Sequence, residues 1–433
     1  MGNYIMPDLT PKLLPNLSKH RLPGLDLGAD FQYPRYEDQS ILNIPSSICR
    51  WLNVPDLGAG ALRPEILLPP GDGIRRVILI IMDALSLHRF QRWLENGDIP
   101  IWRSLMEDGL LAPLTSITPS TTCAAITTLW SGGSPASHGI VGYEMWLKEY
   151  SLVANMILHT PMTFRGGGLG SLEHAGFKPK DFINVPRLGP HLRAHGVIPY
   201  AFQHHNIAHS GLSEMFMQDV EIKPFGTPAE LWVNIRQLIE DKPEQRMYSW
   251  VYWGQVDGLS HYYEPDDERV LAEFSNFSFA FEEFFLKRLR PSVRKDTLLI
   301  LSADHGQINT LDDPKYLYKN HPQLDQMLHI KLTGENRLMF LFARPGKLDA
   351  IKEYFNQTWP GQFSLISSEQ AIESGLFGPG EINPRLRERM GDLIAIPHEN
   401  AYLWWGDKDN PLRGRHGGLR PEEMLVPFMA VRL

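Results

Sequence analysis

Between residues 75 and 83 the chain reads "RRVILIIMD", six consecutive apolar residues, four of them β-branched, that end in the carboxylate of Asp83. A strand that is apolar at every position has no face for water. It must lie in a sheet covered on both sides, and such sheets are built from parallel strands joined by helical crossovers. A helix-like stretch at 86–95 follows directly and begins a βα alternation. Further apolar runs occur at 247–255 ("MYSWVYWGQ"), 297–304 ("TLLILSAD"), 337–343 ("RLMFLFA") and 427–431 ("PFMAV"). Phe274, Phe277, Phe281, Phe284 and Phe285 follow helical spacing, which predicts a helix over 264–290 with a core-facing stripe. The fold class is α/β with a mainly parallel central sheet.

A chain of 433 residues, 43% hydrophobic and 21% charged, can bury a large core without covalent staples. The cysteines, Cys49 and Cys123, do not make a disulfide framework. A net charge of −8 is mild for this length and gives no reason to expect nucleic acid or an anionic membrane as partner. No run of about 18 apolar residues occurs, which argues against a membrane span. The N-terminal segment has prolines and charges where a secretory signal needs an unbroken apolar stretch, so a cytoplasmic, reducing setting is expected. Residues 1–70, rich in proline and glycine, are expected to form an arm wrapping a core domain at 71–433, with a short helix near 48–52. Cap insertions are expected at about 150–245 and 311–400. Oligomeric state leaves no mark on the sequence.

In open α/β sheets, functional groups collect at the carboxyl ends of strands. Three apolar runs here lead into acids: Asp83, Asp257 with His261 four residues on, and Asp304 with His305 adjacent. An i, i+4 pair shares one face of a helical turn, a common geometry for two ligands of one metal; a surface ion pair is the bland alternative. Asp304 and His305 can converge only where the strand ends, and Gly306 eases a turn there. Near the C-terminus "RHGG" sets His416 before two glycines. Six Asp and His ligands without thiolates make two three-ligand sites, suited to Zn²⁺ first, with Mn²⁺ or Fe as competitors. A hydroxyl cluster, "TPSTTCAA" at 118–125, precedes an apolar helix-like segment. It serves as an N-cap or as the source of a nucleophile facing a phosphate held at the helix start.

In order, these residues resemble the alkaline phosphatase superfamily, and within it the type I phosphodiesterase/nucleotide pyrophosphatase branch. The motifs are the strand-end Asp83, "PSTT", "SPASHGIVGYEMW", D-x-x-x-H, "ADHG" and "RHGG", which together span nearly all of the chain after the arm. The resemblance implies a three-layer sandwich with helices on both faces of the sheet and inserted caps. The family nucleophile lies sixteen residues before the histidine of "SHGI", His138 here, which selects Thr122. Asp83, Asp304 and His305 then resemble ligands of the metal that also takes Thr122, and Asp257, His261 and His416 those of the other. His138 has a supporting role in the pattern. The implied activity is hydrolysis of a small-molecule phosphate ester, such as a nucleotide, through a covalent Thr122 intermediate at two divalent cations.

One position departs from the family. Its diesterases carry an asparagine five residues after the "SHG" histidine, where this chain has Tyr143, a candidate substrate contact. A phosphomonoesterase or phosphomutase on the same scaffold therefore stays open, and so does a catalytically silent binding protein. The sulfatase variant fails, because Cys123 lacks the C-x-P-x-R context. Tyr143, Trp146, Trp253 and Tyr262 could stack a base, and "RGGG" (165–168) and "QHHN" (203–206) could line a pocket. Core packing and ordinary loops explain these equally well.

Overall fold

The computed structural model describes residues 8–162, 168–406 and 408–433. Arg76–Met82, buried at every position, is the centre of a seven-stranded sheet. It pairs in parallel with Met247–Trp253 on one side and Thr297–Ser302 on the other. Beyond Met247–Trp253 lie Ile198–His204 and then Glu221–Phe225, both parallel. Beyond Thr297–Ser302 lie Leu425–Arg432, antiparallel to both neighbours, and Leu110–Thr115 at the edge. Helices surround this sheet, including Leu87–Asn96, which opens on a Ser86 side-chain cap and stops at left-handed Gly97. The phenylalanine stripe lies on Glu268–Ala280 and its π-helical continuation Phe281–Leu286.

The region 150–245, expected as one cap, divides. Its second half supplies two strands of the central sheet and the helix Pro228–Asp241. These strands escape the apolar pattern because Pro199, Gln203, Lys223 and Pro224 interrupt them near a sheet edge, where such residues are tolerated. Its first part joins Glu144–Leu147 and the segment 328–397 in a second seven-stranded sheet, antiparallel throughout. "RLMFLFA" lies there, as Leu338–Ala343. The N-terminal residues 9–66 contribute Leu9, Leu13, Ile41, Ile48 and Ile66 to the core shared with the central strands. They carry the helices Thr10–Ser18 and Ile44–Trp51. Among the described residues no helix is long and apolar enough to cross a membrane.

A fully buried ion pair ties the second sheet to the short C-terminal helix Pro421–Met424. Arg337 donates Nε to Glu423 Oε1 at 3.1 Å and Nη2 to Oε2 at 2.8 Å, and Oε1 also accepts from Gly418 N at 2.9 Å. Removing one partner strands the other charge out of water. Glu423→Ala is therefore expected to cost about 3–5 kcal/mol in denaturant unfolding. A cost below about 1 kcal/mol would mean that water reaches Arg337.

Candidate active site

Asp83 and Asp304 follow adjacent parallel strands, Arg76–Met82 and Thr297–Ser302. The third strand of the row, Met247–Trp253, leads into the helix Gln255–Tyr263, which sets Asp257 and His261 on one face. All six predicted ligands gather at this end in two sets. Asp83, Asp304 and His305 form one and Asp257, His261 and His416 the other, each with ligand atoms within 4.8 Å of one another. The sets adjoin: the His305 and His416 rings stack at 3.9 Å.

Hydrogen bonds fix which atom each residue presents. His305 Nδ1 donates to Gly306 O (2.9 Å), His261 Nδ1 to Gly414 O (2.8 Å) and His416 Nδ1 to Ser120 O (3.1 Å). A carbonyl can only accept, so in each neutral imidazole Nε2 is the unprotonated nitrogen. Each Nε2 faces carboxylate oxygen. His305 Nε2 lies 3.5 Å from both Asp83 Oδ1 and Asp304 Oδ2, His261 Nε2 lies 3.3 Å from Asp257 Oδ2, and His416 Nε2 lies 3.8 Å from Asp257 Oδ1. Lone pairs turned on one another are held together by a proton or by a metal cation between them. The carboxylates carry the same signature. Tyr252 donates to Asp83 Oδ2, and Ala84 N and His305 N donate to Asp304 Oδ1, yet Asp83 Oδ1 and Asp304 Oδ2 are buried with no hydrogen-bond partner. The donor set fits two divalent cations.

The electrostatics agree. Burial, with the neighbouring carboxylates, pushes Asp83 well above the usual carboxylate range, and burial raises Asp304 as well. Burial works against ionised Asp257 too, but His261 and His416 outweigh it and hold it low. Burial and the charge of His305 push His416 well below its ordinary value, which keeps it neutral.

The hydroxyl cluster resolves atom by atom. Ser120 Oγ donates to Gly418 O at 2.8 Å, and Thr121 Oγ1 donates to Glu335 Oε1 at 2.5 Å. Thr122, the first residue of the helix Thr122–Ser131, places Oγ1 3.1 Å from His305 Nε2, where the first set converges. His138 lies behind that helix; its Nε2 is 3.1 Å from Thr128 Oγ1, and burial pushes it down to about 3. Gly306 is needed for close approach rather than for an unusual dihedral, since a Cβ there would lie 2.0 Å from Glu422 O. Gly417 does adopt a left-handed φ of 111°.

Several site residues gave no sequence signal. Tyr252 orients Asp83, and Gln307 Nε2 donates to Asp257 Oδ1 at 2.6 Å. Glu335, from the second sheet, accepts from Tyr143 N at 2.7 Å as well as from Thr121, and burial pushes its carboxyl up to about 7. Replacing it by leucine leaves both donors unpaired and is expected to cost about 1–3 kcal/mol. Glu335→Gln keeps an acceptor and should cost less; equal costs in denaturant unfolding would refute this role.

Two cavities open on the site. The larger, about 560 Å³, is lined by Tyr143, Glu335, Trp404, Trp405, His261 and His416, among others. The other, about 340 Å³, includes Asp83, Gln203, His204 and Asn206. Thr122, Ile157 and Asp257 line both. Of the aromatics singled out in the sequence, Tyr143 lines a cavity, whereas Trp253 is buried against Phe225. Residues 165–167 of "RGGG" lie outside the described residues.

Residues 77–419 match the family model of type I phosphodiesterases/nucleotide pyrophosphatases, well over half of the chain. The chain belongs to the type I phosphodiesterase/nucleotide pyrophosphatase family. As a member it is a hydrolase acting on phosphoric ester bonds. Comparison with curated proteins gave no sequence match. Among solved structures, this family member is similar to murine ectonucleotide pyrophosphatase/phosphodiesterase 5, at 18% identity and a TM-score of 0.60, over 82% of this chain and 87% of that one. The same murine protein, as an inactive threonine-to-alanine variant in complex with AMP, matches at 17% identity, with the same TM-score and the same coverage. Phosphonoacetate hydrolase from Sinorhizobium meliloti 1021, in complex with phosphonoformate, matches at 15% identity and a TM-score of 0.59, over 83% and 91%. At these identities the likeness concerns the fold.

Proposed function

We propose that the chain is a phosphodiesterase or nucleotide pyrophosphatase that works through a covalent Thr122 intermediate with two divalent cations, Zn²⁺ first, Mn²⁺ or Fe as competitors. The observation that carries this reading is the position of Thr122 Oγ1, at a helix start and 3.1 Å from His305 Nε2, where two unpartnered carboxylate oxygens converge. Asp83, Asp304, His305 and Thr122 would hold one cation and Asp257, His261 and His416 the other. When bound, such cations lower the pKa of a coordinated hydroxyl and neutralise charge on phosphoryl oxygens. The free N–H groups at the start of Thr122–Ser131 point toward an anion held there. Thr122 Oγ1 forms the new bond to phosphorus as the bond to the departing oxygen breaks, and the threonine proton ends on that oxygen. Water then cleaves the phosphothreonine ester and restores the hydroxyl. The murine relative seen with AMP supports a nucleotide as substrate.

Tyr143 favours a second reading, a phosphomonoesterase or phosphomutase. It lines the larger cavity, burial pushes its hydroxyl up to about 12, and it sets a phenol where the diesterases of the family carry an amide. Metal analysis with turnover of an aryl phosphodiester and an aryl phosphomonoester separates the readings. Two metals per chain, one for each ligand set, and faster diester turnover are expected. Faster monoester turnover favours the second reading, and absence of metal and turnover refutes both. His416→Ala should lower occupancy to about one metal per chain; unchanged occupancy would remove it from the ligand set.

A further inference from the structure

We infer that the smaller cavity is a second substrate subsite, which takes a neutral, hydroxylated arm of a diester, such as a sugar or polyol. This rests on the Thr122 reading above. Two observations carry it. The two cavities meet at Thr122 and Asp257 but have different walls. The larger is built from the second sheet and the segment 404–416. The smaller is built from the end of Ile198–His204, the helix Gly211–Phe216 and the turn into Gln255–Tyr263. A diester phosphorus carries two ester oxygens. In-line displacement sends the departing oxygen away from the nucleophile while the other arm stays on phosphorus, so the arms diverge and need separate room. Both volumes fall within the range of small-molecule sites, about 300–1,000 Å³.

The second observation is the chemistry of the lining. Gln203, Asn206, Ser210, Ser213 and Gln255 are neutral side chains that carry both donors and acceptors. Three of them form a chain that fixes their positions: Ser210 Oγ lies 3.0 Å from Ser213 Oγ, which lies 3.2 Å from Gln203 Oε1. Gln203 Nε2 donates to none of the described residues and is available to a ligand. The charged lining residues are Asp83 and Asp257, and among the described residues no lysine or arginine joins them. Both carboxylates belong to the ligand sets and would be committed to the cations, so an anionic arm finds no cationic side chain to pair with in this lining, whereas hydroxyls match amides and hydroxyls. "QHHN", unassigned by the catalytic reading, thereby acquires a role.

The test uses metal-loaded full-length protein and three p-nitrophenyl phosphodiesters whose second arm is methyl, glyceryl or carboxymethyl. The glyceryl ester is expected to exceed the methyl ester in kcat/KM by about tenfold, the worth of one or two net hydrogen bonds, and the carboxymethyl ester to fall below both. Asn206→Trp, at the exposed rim, and Gln203→Leu, inside, should each bring the glyceryl-to-methyl ratio toward one. A wild-type ratio near one, or a ratio that survives both substitutions, overturns the subsite while Thr122-dependent turnover stands. Turnover of no ester, or turnover that persists in Thr122→Ala, overturns the catalytic reading and the subsite with it.

Discussion

Thr122→Ala is expected to lower turnover about 10⁴-fold or more while metal content stays near that of the parent chain. The magnitude is that of removing the attacking atom from a site whose other parts remain, where charge stabilisation and binding leave a small residual rate. Metal content should hold because Asp83, Asp304 and His305 converge without the threonine. Thr121→Ala is the informative control. Its hydroxyl is committed to Glu335 Oε1 and caps no helix N–H, so its loss should cost stability, with turnover reduced by about tenfold or less. Mass spectrometry after a rapid quench should find the phosphoryl group, with the ester arm it retains, on Thr122 and not on Thr121. If Thr121→Ala is the inactive variant and Thr122→Ala retains its rate, the register taken from His138 is wrong.

The residues of the two candidate ligand sets were legible in the sequence because their placement is local. An apolar run that ends in an acid, an i, i+4 pair and a histidine before glycines can each be read within a dozen residues. Their partition into two sets came from resemblance, and the structure gathers them into those same groups. What escaped depends on contacts far apart in the chain. Glu335 belongs to a hairpin, "TGENR", that reads as a surface turn, yet Thr121, some two hundred residues earlier, buries it. The second sheet pairs Glu144 with Gly334, a contact that no local pattern announces. Leu110–Thr115 was missed for another reason. Pro113 argues against a strand interior, but this strand is at the sheet edge, where the missing N–H is tolerated.

Chelation should abolish turnover and lower the melting temperature by on the order of 5–10 °C, and the loss should grow as pH rises. The sign follows from the carboxylates. In the metal-free chain burial raises Asp83 and Asp304 above their unfolded values. As pH rises past about 4, the unfolded chain releases these protons before the folded one does. The unfolded state then holds fewer of these protons, so the stability that these two groups contribute falls until they ionise in the folded chain; His416, neutral with or without metal, does not alter the difference between the two forms. His261 acts in the same direction: although burial opposes its charge, Asp257 raises it, and the stability it contributes when protonated is lost as pH climbs through its folded value. A bound cation keeps these carboxylates ionised and the imidazole neutral, so the loaded chain does not share the decline. Melting curves with and without chelator should therefore separate further at about pH 8 than at about pH 5. Curves that coincide at both pH values would mean that the paired lone pairs and unpartnered oxygens of the two sets are satisfied without metal.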